Sequence, residues 1–184
     1  MELPERVLTG PVVLRHFTQS DAPRVRELAG DWEVAKTTAA LPHPYRQALA
    51  DDWISGHDEA RNRGTDFPYA VTRVHDGALV GSLGLRPLAN EHGHFGYWIG
   101  RPHWGLGYAT VATRAAIALL YAHTDAEALW AVHLADNHGS SRVMEKCGMR
   151  VLRREARSHR GEPRDFLVRG ITRDEWDRLA DRPR

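Results

Sequence analysis

The run from Asn90 to Ala135 constrains this chain most. It reads as a glycine-rich strand, "NEHGHFGYWIG", then a tight turn, "RPHWGLGYAT", then an alanine-rich helix, then a short strand, "LWAVHLA". In the helical stretch Ala112, Ala116, Leu119, Leu120 and His123 fall on one face. A strand, a helix and a second strand in that order call for a crossover and parallel pairing. On either side the signals are those of hairpins. "FPYAVTRV" and "ALVGSLGLRPL" are strand-like and joined through Asp76-Gly77. "MRVLRREAR" and "DFLVRGI" flank a "SHRGEP" loop. Hairpins beside a crossover imply a mixed α/β sheet, mostly antiparallel, of six to seven strands with helices on both faces.

The remaining elements fit that sheet. Pro11 to Phe17 has strand propensity, and Ser20 or Asp21 caps a short helix that Gly30 ends. Leu49, Trp53, His57 and Ala60 recur at helical spacing between Gln47 and Arg63. "NHGSSRVMEKCG" reads as a helix closed by Gly148, and Thr172 with Glu175 forms a capping box for a last helix. No repeat or linker divides the 184 residues, so residues 1–184 are expected to form a single domain.

Composition narrows the setting. Cys147 is the only cysteine, which rules out an internal disulfide and favours a reducing compartment. No apolar run approaches membrane-spanning length, and "MELPERVLTG" has no apolar leader core. The expectation is a cytoplasmic protein with no membrane partner. A net charge of +1 provides no field for nucleic acid. The arginine-rich segment from Arg150 to Arg169 reads as a solvated strand pair.

The "WGLG" turn carries the first chemical signal. No acidic N-cap fills the amides of the helix it opens, and its glycines let backbone N–H groups approach a ligand. Free amides at the positive end of a helix dipole suit phosphate or pyrophosphate. The pattern is neither G-x-x-x-x-G-K-[ST] nor G-x-G-x-x-G, which argues against nucleoside triphosphate and NAD.

"GYWIGRPHWGLGYATVATRA", followed by "NHGSSRVMEKCGM", resembles the GNAT superfamily of acyl-CoA N-acyltransferases, and within it the branch of ribosomal-protein N-terminal acetyltransferases. Trp104, Gly105, Leu106, Gly107, Tyr108 and Ala109 match the family's phosphate loop, with Trp104 in place of Gln/Arg. "PHPY" at Pro42 to Tyr45 also occurs in that branch. The resemblance implies a sheet splayed between its fourth and fifth strands, counted as above, with acetyl-CoA as co-substrate in the wedge. It implies that backbone groups of Tyr97, Trp98 and Ile99 pair with pantetheine and that amides from Gly105 to Thr110 hold pyrophosphate. It further implies that Asn137 bonds in the pantetheine region and that Ser140 sits near the sulfur. Arg142 and Lys146 are candidate partners of the CoA phosphates, with plain helix-surface charge as the other reading.

Transfer of an acyl group from a thioester to an amine needs a proton acceptor, an oxyanion donor and stabilisation of the leaving thiolate. Many members of the superfamily use a tyrosine seven residues after the asparagine. Here that residue is Met144, which cannot donate. Ser140 is the candidate acid, against a reading in which it only caps its helix; Ser141 is its neighbour. His94 is the candidate base, with His92, Glu91, His133 or a water chain as alternatives. Branch members often carry Glu after "YAT", where this chain has Val111. The histidines of "EHGH" lack further ligands at metal-binding spacing, so no metal is expected. Cys147 reads as core packing.

The acceptor cleft is expected between "TTAALPHPYR" and "SHRGEPR", which lack the several carboxylates a polycation needs. A peptide N-terminus or a small-molecule amine is the expected acceptor. A non-catalytic acyl-CoA-binding module is the alternative, and a homodimer is compatible with the branch.

Overall fold

The computed structural model describes residues 3–38, 41–88 and 92–180. In chain order the elements are β1 (Arg6–Thr9), β2 (Val12–Arg15), α1 (Ala22–Ala29), α2 (Trp32–Ala35), α3 (Gln47–Ser55), α4 (His57–Asn62), β3 (Phe67–Arg73), β4 (Leu79–Leu88), β5 (His92–Ile99), α5 (Tyr108–His123), β6 (Ala128–Leu134), α6 (His138–Lys146), β7 (Arg150–His159), β8 (Glu162–Thr172) and α7 (Arg173–Ala180). They build one eight-stranded sheet in the order β1-β2-β3-β4-β5-β6-β8-β7. Every neighbouring pair is antiparallel except β5 and β6, the pair that the crossover helix α5 joins.

Strand β1 takes the count past six or seven. Its four residues alternate between exposed and half-buried, and Leu8 is exposed, so the segment carries little apolar signal. The second difference lies in the stretch from Gln47 to Arg63. It is two helices broken at Gly56, and the break rotates the buried face onto Ala50, Ile54 and His57 while Leu49 is exposed. The third is the β7–β8 hairpin. Most of "SHRGEP" is strand, and the turn is the pair Arg160-Gly161, both at positive φ (53° and 85°). Two consecutive positive-φ residues match the right-handed twist of the strands they join.

Alternation along β5 assigns the two faces. Phe95 and Ile99 are buried with Ala112, Ala116, Ile117 and Leu120 of α5, and Tyr97 packs against the same cluster. Trp98 points the other way, into a core with Val25 and Leu28 of α1 and Ile54 of α3. The sheet is thus covered on both sides. The capping box is present: Thr172 N–H donates to Glu175 Oε2 at 2.8 Å and Glu175 N–H to Thr172 Oγ1 at 3.2 Å. No helix among the described residues is long and apolar enough to cross a membrane.

One core group is a poor fit to its surroundings. His57 is 5 % exposed and wedged edge-on against Trp53 and Phe17, and neither ring nitrogen has a hydrogen-bond partner among the described residues. Burial first, and Arg61 second, lower its pKa to about 4. The unfolded imidazole titrates near 6.5, so protons favour the unfolded chain. The His57 contribution is whole above about pH 6.5 and is lost as pH drops towards 4, by about 2 kcal/mol after allowance for solvent screening. His57→Leu is expected to flatten this acid limb and to leave stability at pH 7 equal or higher, because no bond is lost. Urea unfolding at pH 4.5 and 7 measures both; an unchanged acid limb would clear His57 as its source.

Candidate active site

The parallel pair does not stay paired. Strands β5 and β6 register only at His92 with Ala128, Gly93 with Leu129 and His94 with Trp130. Beyond His94 they diverge, and the edge of β5 from Phe95 to Ile99 has no ladder partner on that side among the described residues. The Gly100 amide donates to Val80 of β4 at 2.8 Å. Alternation therefore turns the backbone groups of Tyr97 and Ile99 towards the opening, and those of Trp98 towards β4. The Ile99 carbonyl is already occupied, because Trp104 Nε1–H donates to it at 2.6 Å.

That indole bond folds the turn back onto the strand. Gly105 and Gly107 follow at φ of 78° and 81°, a conformation glycine adopts without strain. Gly107 caps α5 with no side-chain bond, and no acid lies in the helix's first turn. The amides of Gly105, Leu106, Gly107, Tyr108, Ala109 and Thr110 donate to no acceptor among the described residues; the first satisfied amide is that of Val111, which bonds Gly107 O at 3.1 Å. A Cβ built on either glycine meets nothing within 4 Å. The turn at the mouth of the wedge thus carries six amides with no acceptor among the described residues, a donor set that fits a pyrophosphate.

The opposite wall is the start of α6. Asn137 is the N-cap, and its Oδ1 accepts from Ser140 N–H at 3.0 Å. Ser140 does not cap. Its half-buried Oγ lies 3.0 Å from the Tyr97 hydroxyl, across from β5. Burial pushes the Tyr97 phenol up to about 12. Met144 is packed into the core at 2 % exposure. Cys147 is equally buried, its thiol pushed up to about 11 by burial and its Sγ 3.6 Å from Thr110 O. It packs beneath the start of α5 and is no nucleophile. Arg142 is exposed and makes no ion pair among the described residues; Lys146 lies at the far end of α6.

The structure separates the candidate bases. His94 lies at the closed end of the wedge on the face opposite Tyr97, its ring 4.5 Å from that of Trp130. Burial, then Arg86 and Arg157, lower its pKa to about 4, so it is neutral at pH 7 and weakly basic. His92 is exposed on the same strand. Glu91 lies outside the described residues. His133 is committed elsewhere: Nδ1–H donates to Leu134 O at 2.8 Å, and Nε2 accepts from Arg169 Nε at 3.2 Å. Burial and that guanidinium lower its pKa, and no free lone pair remains to take a proton. No group of three or more His, Cys, Asp or Glu side chains that could hold a metal ion occurs among the described residues.

Two features were missed by sequence reasoning. Arg169, 5 % exposed, joins β8 to α6 through Ser141 Oγ (2.7 Å) and Glu145 Oε1 (2.6 Å), and to Met149 O (3.2 Å). The other is the hydroxyl of Tyr97, a residue singled out only for its backbone. Strand alternation was the available signal, since it puts Tyr97 on the face opposite Trp98.

The sheet opens at its parallel pair, and a glycine turn stands at the opening. A family model described as an acetyltransferase (GNAT) domain matches residues 12–150. Solved structures agree with it. An acetyltransferase of the GNAT family from Bacillus anthracis is 20 % identical with a TM-score of 0.82, over 92 % of this chain and 99 % of that one. Mycobacterium smegmatis RimJ in complex with CoA-disulfide is 21 % identical with a TM-score of 0.81, over 94 % and 92 %. The ribosomal-protein-S5-alanine acetyltransferase from Vibrio fischeri is 15 % identical with a TM-score of 0.80, over 93 % and 98 %. Identities this low speak to the fold alone. The family match spans most of the chain, and this chain belongs to the GNAT acetyltransferase family.

Proposed function

We propose that this protein moves an acetyl group from acetyl-CoA to a primary amine by direct attack in a ternary complex. The observation that carries the reading is the divergence of β5 from β6, which leads to six amides with no acceptor among the described residues. Amides from Gly105 to Thr110 hold the pyrophosphate, and Arg142 is free to meet a CoA phosphate. Backbone groups of Tyr97 and Ile99 line the pantetheine path, and a β5 amide facing the opening serves the oxyanion. Asn137, whose side-chain oxygen is engaged in the cap, keeps its side-chain nitrogen for the same arm. Ser140 stabilises the departing thiolate. His94, on the other face, is the candidate acceptor of the amine's proton and passes it to water.

The acceptor is a peptide or protein N-terminus or a small-molecule amine. Beside the end of β6 lies a cleft of about 480 Å³, lined among others by Trp32, Lys36, Asn137, Arg160 and Glu162. Its charges are mixed, and Asp136 there is already paired with Arg164. A polycation would need several free carboxylates. The ribosomal-protein acetyltransferase among the similar structures supports a peptide acceptor.

Calorimetric titration with acetyl-CoA, with NADH and ATP as controls, tests the cofactor. Release of free CoA in the presence of peptide and small amines tests the chemistry. Selective binding without CoA release from any acceptor would favour a non-catalytic acyl-CoA-binding module. Ser140→Ala is expected to lower turnover roughly thirtyfold and acetyl-CoA affinity less than twofold. Thiolate is a fair leaving group, so the loss falls below the usual range for a general acid. An unaffected turnover number would take Ser140 out of the chemistry.

A further inference from the structure

The Tyr97–Ser140 contact lies between the two walls of the wedge and has no part in holding either wall together. Ser140's backbone is fixed by Asn137, and β5 is fixed by its pairing with β4. We propose that Tyr97 is a positioning residue for acetyl transfer: its hydroxyl donates to Ser140 Oγ and leaves the serine's own proton directed at the departing sulfur. The inference rests on the acetyl-transfer reading above.

The direction of the bond follows from what the proposed chemistry needs of the serine. Either oxygen could donate across 3.0 Å. Among the described residues Ser140 Oγ has no other hydrogen-bond partner, and Tyr97 OH has none either. If the serine donated, its single proton would be spent on the phenol and none would face the sulfur. If the phenol donates, the serine proton is free and is polarised by the bond it accepts. The phenol, pushed up to about 12, keeps its proton throughout the working range. Ser141 cannot substitute, because its hydroxyl donates to Glu145 and accepts from Arg169. Met144 is buried and has no proton to give.

The same value limits what the pair can do. A free thiol titrates near about 8.5, so full proton transfer from this phenol to a thiolate is uphill by about 3.5 pK units. The pair therefore supplies hydrogen bonds and no net proton. As the C–N bond forms, the C–S bond breaks and its electron pair goes to sulfur. The proton lost by the amine nitrogen passes to the base and water, and the thiolate leaves hydrogen-bonded to Ser140 before it is protonated from solvent.

Steady-state kinetics of Tyr97→Phe, Ser140→Ala and the double variant test this. Tyr97→Phe keeps the ring that stacks near Phe95. It is expected to lower kcat roughly tenfold with KM for acetyl-CoA within twofold, and to have no further effect in the Ser140→Ala background. Equal losses in both backgrounds, or a loss confined to KM, would mean that Tyr97 only packs the wedge, and would overturn the proposal. Should Tyr97→Phe fail to fold, difluorotyrosine at position 97 supplies a more acidic phenol of nearly the same size. A kcat at or above that of wild type is expected; a tenfold fall overturns the proposal. Wild-type protein that binds no acetyl-CoA, or releases no CoA, removes the acetyl-transfer reading and this inference with it. Normal wild-type turnover that Tyr97→Phe leaves unchanged removes this inference alone.

Discussion

Gly107→Val is expected to weaken acetyl-CoA binding about a thousandfold, or about 4 kcal/mol. Two effects combine. A β-branched residue at φ of 81° is strained by about 1–3 kcal/mol, and relief of that strain turns the neighbouring amides away from one another. The new methyl groups also have room in one place only. Beyond its chain neighbours no described atom lies within 4 Å of a Cβ at Gly107, so the side chain enters open space beside the turn, where the pyrophosphate is expected on the acetyl-transfer reading. Gly64→Val is the matched control. Gly64 has φ of 68°, equally empty surroundings, and a position after α4 away from the wedge. Both variants should lose comparable stability, and only Gly107→Val should lose affinity by calorimetry. Wild-type affinity in a folded Gly107→Val protein would remove the turn from the binding site.

Arg169→Ala is expected to destabilise the fold by about 3–4 kcal/mol. Arginine cannot shed its charge, so its burial at 5 % exposure depends on the partners that surround it. Its loss strands His133 Nε2 and Met149 O, each a buried acceptor worth about 1–3 kcal/mol when left bare, and opens a void between β8 and α6. Arg154, in the same arginine-rich segment, pairs with Asp165 on the surface. Arg154→Ala should stay within about 0.5 kcal/mol of wild type. Urea unfolding of the two variants makes the comparison, and equal values would mean that the buried network contributes nothing.

That contrast shows what the sequence could and could not tell. The segment from Arg150 to Arg169 looks uniformly solvated, and for Arg150, Arg153, Arg154 and Arg157 that is so, each with an exposed ion pair. Nothing in the spacing marks Arg169 as the buried member, because burial is decided by which strand lies inside the sheet. The central architecture was legible because it rests on local signals: hairpin turns, a glycine turn and an amphipathic crossover helix. β1 was not, since four alternating residues carry no such signal. The Arg160-Gly161 turn was hidden because arginine rarely takes positive φ. Here its guanidinium donates to Ala35 O and Leu41 O and lies over Trp32, contacts from distant parts of the chain. The Tyr97–Ser140 contact joins residues 43 positions apart and depends on where two side chains point. Spacing along one strand or one helix cannot encode it.

The three-residue pairing of β5 with β6 has a mechanical side. It makes the sheet two half-sheets, β1 to β5 and β6 to β8, sharing a short seam. Where the seam stops, a ligand lying along β5 would supply the rungs the protein omits. On the acetyl-transfer reading the co-substrate is a splint as well as a reagent, and the molecule is stiffest when loaded. Resistance to unfolding then reports acyl-donor supply, rising by about 2.7 kcal/mol at a hundredfold excess over Kd. On that reading each turnover would begin by bracing the seam at which the chemistry takes place, and product release would loosen it again.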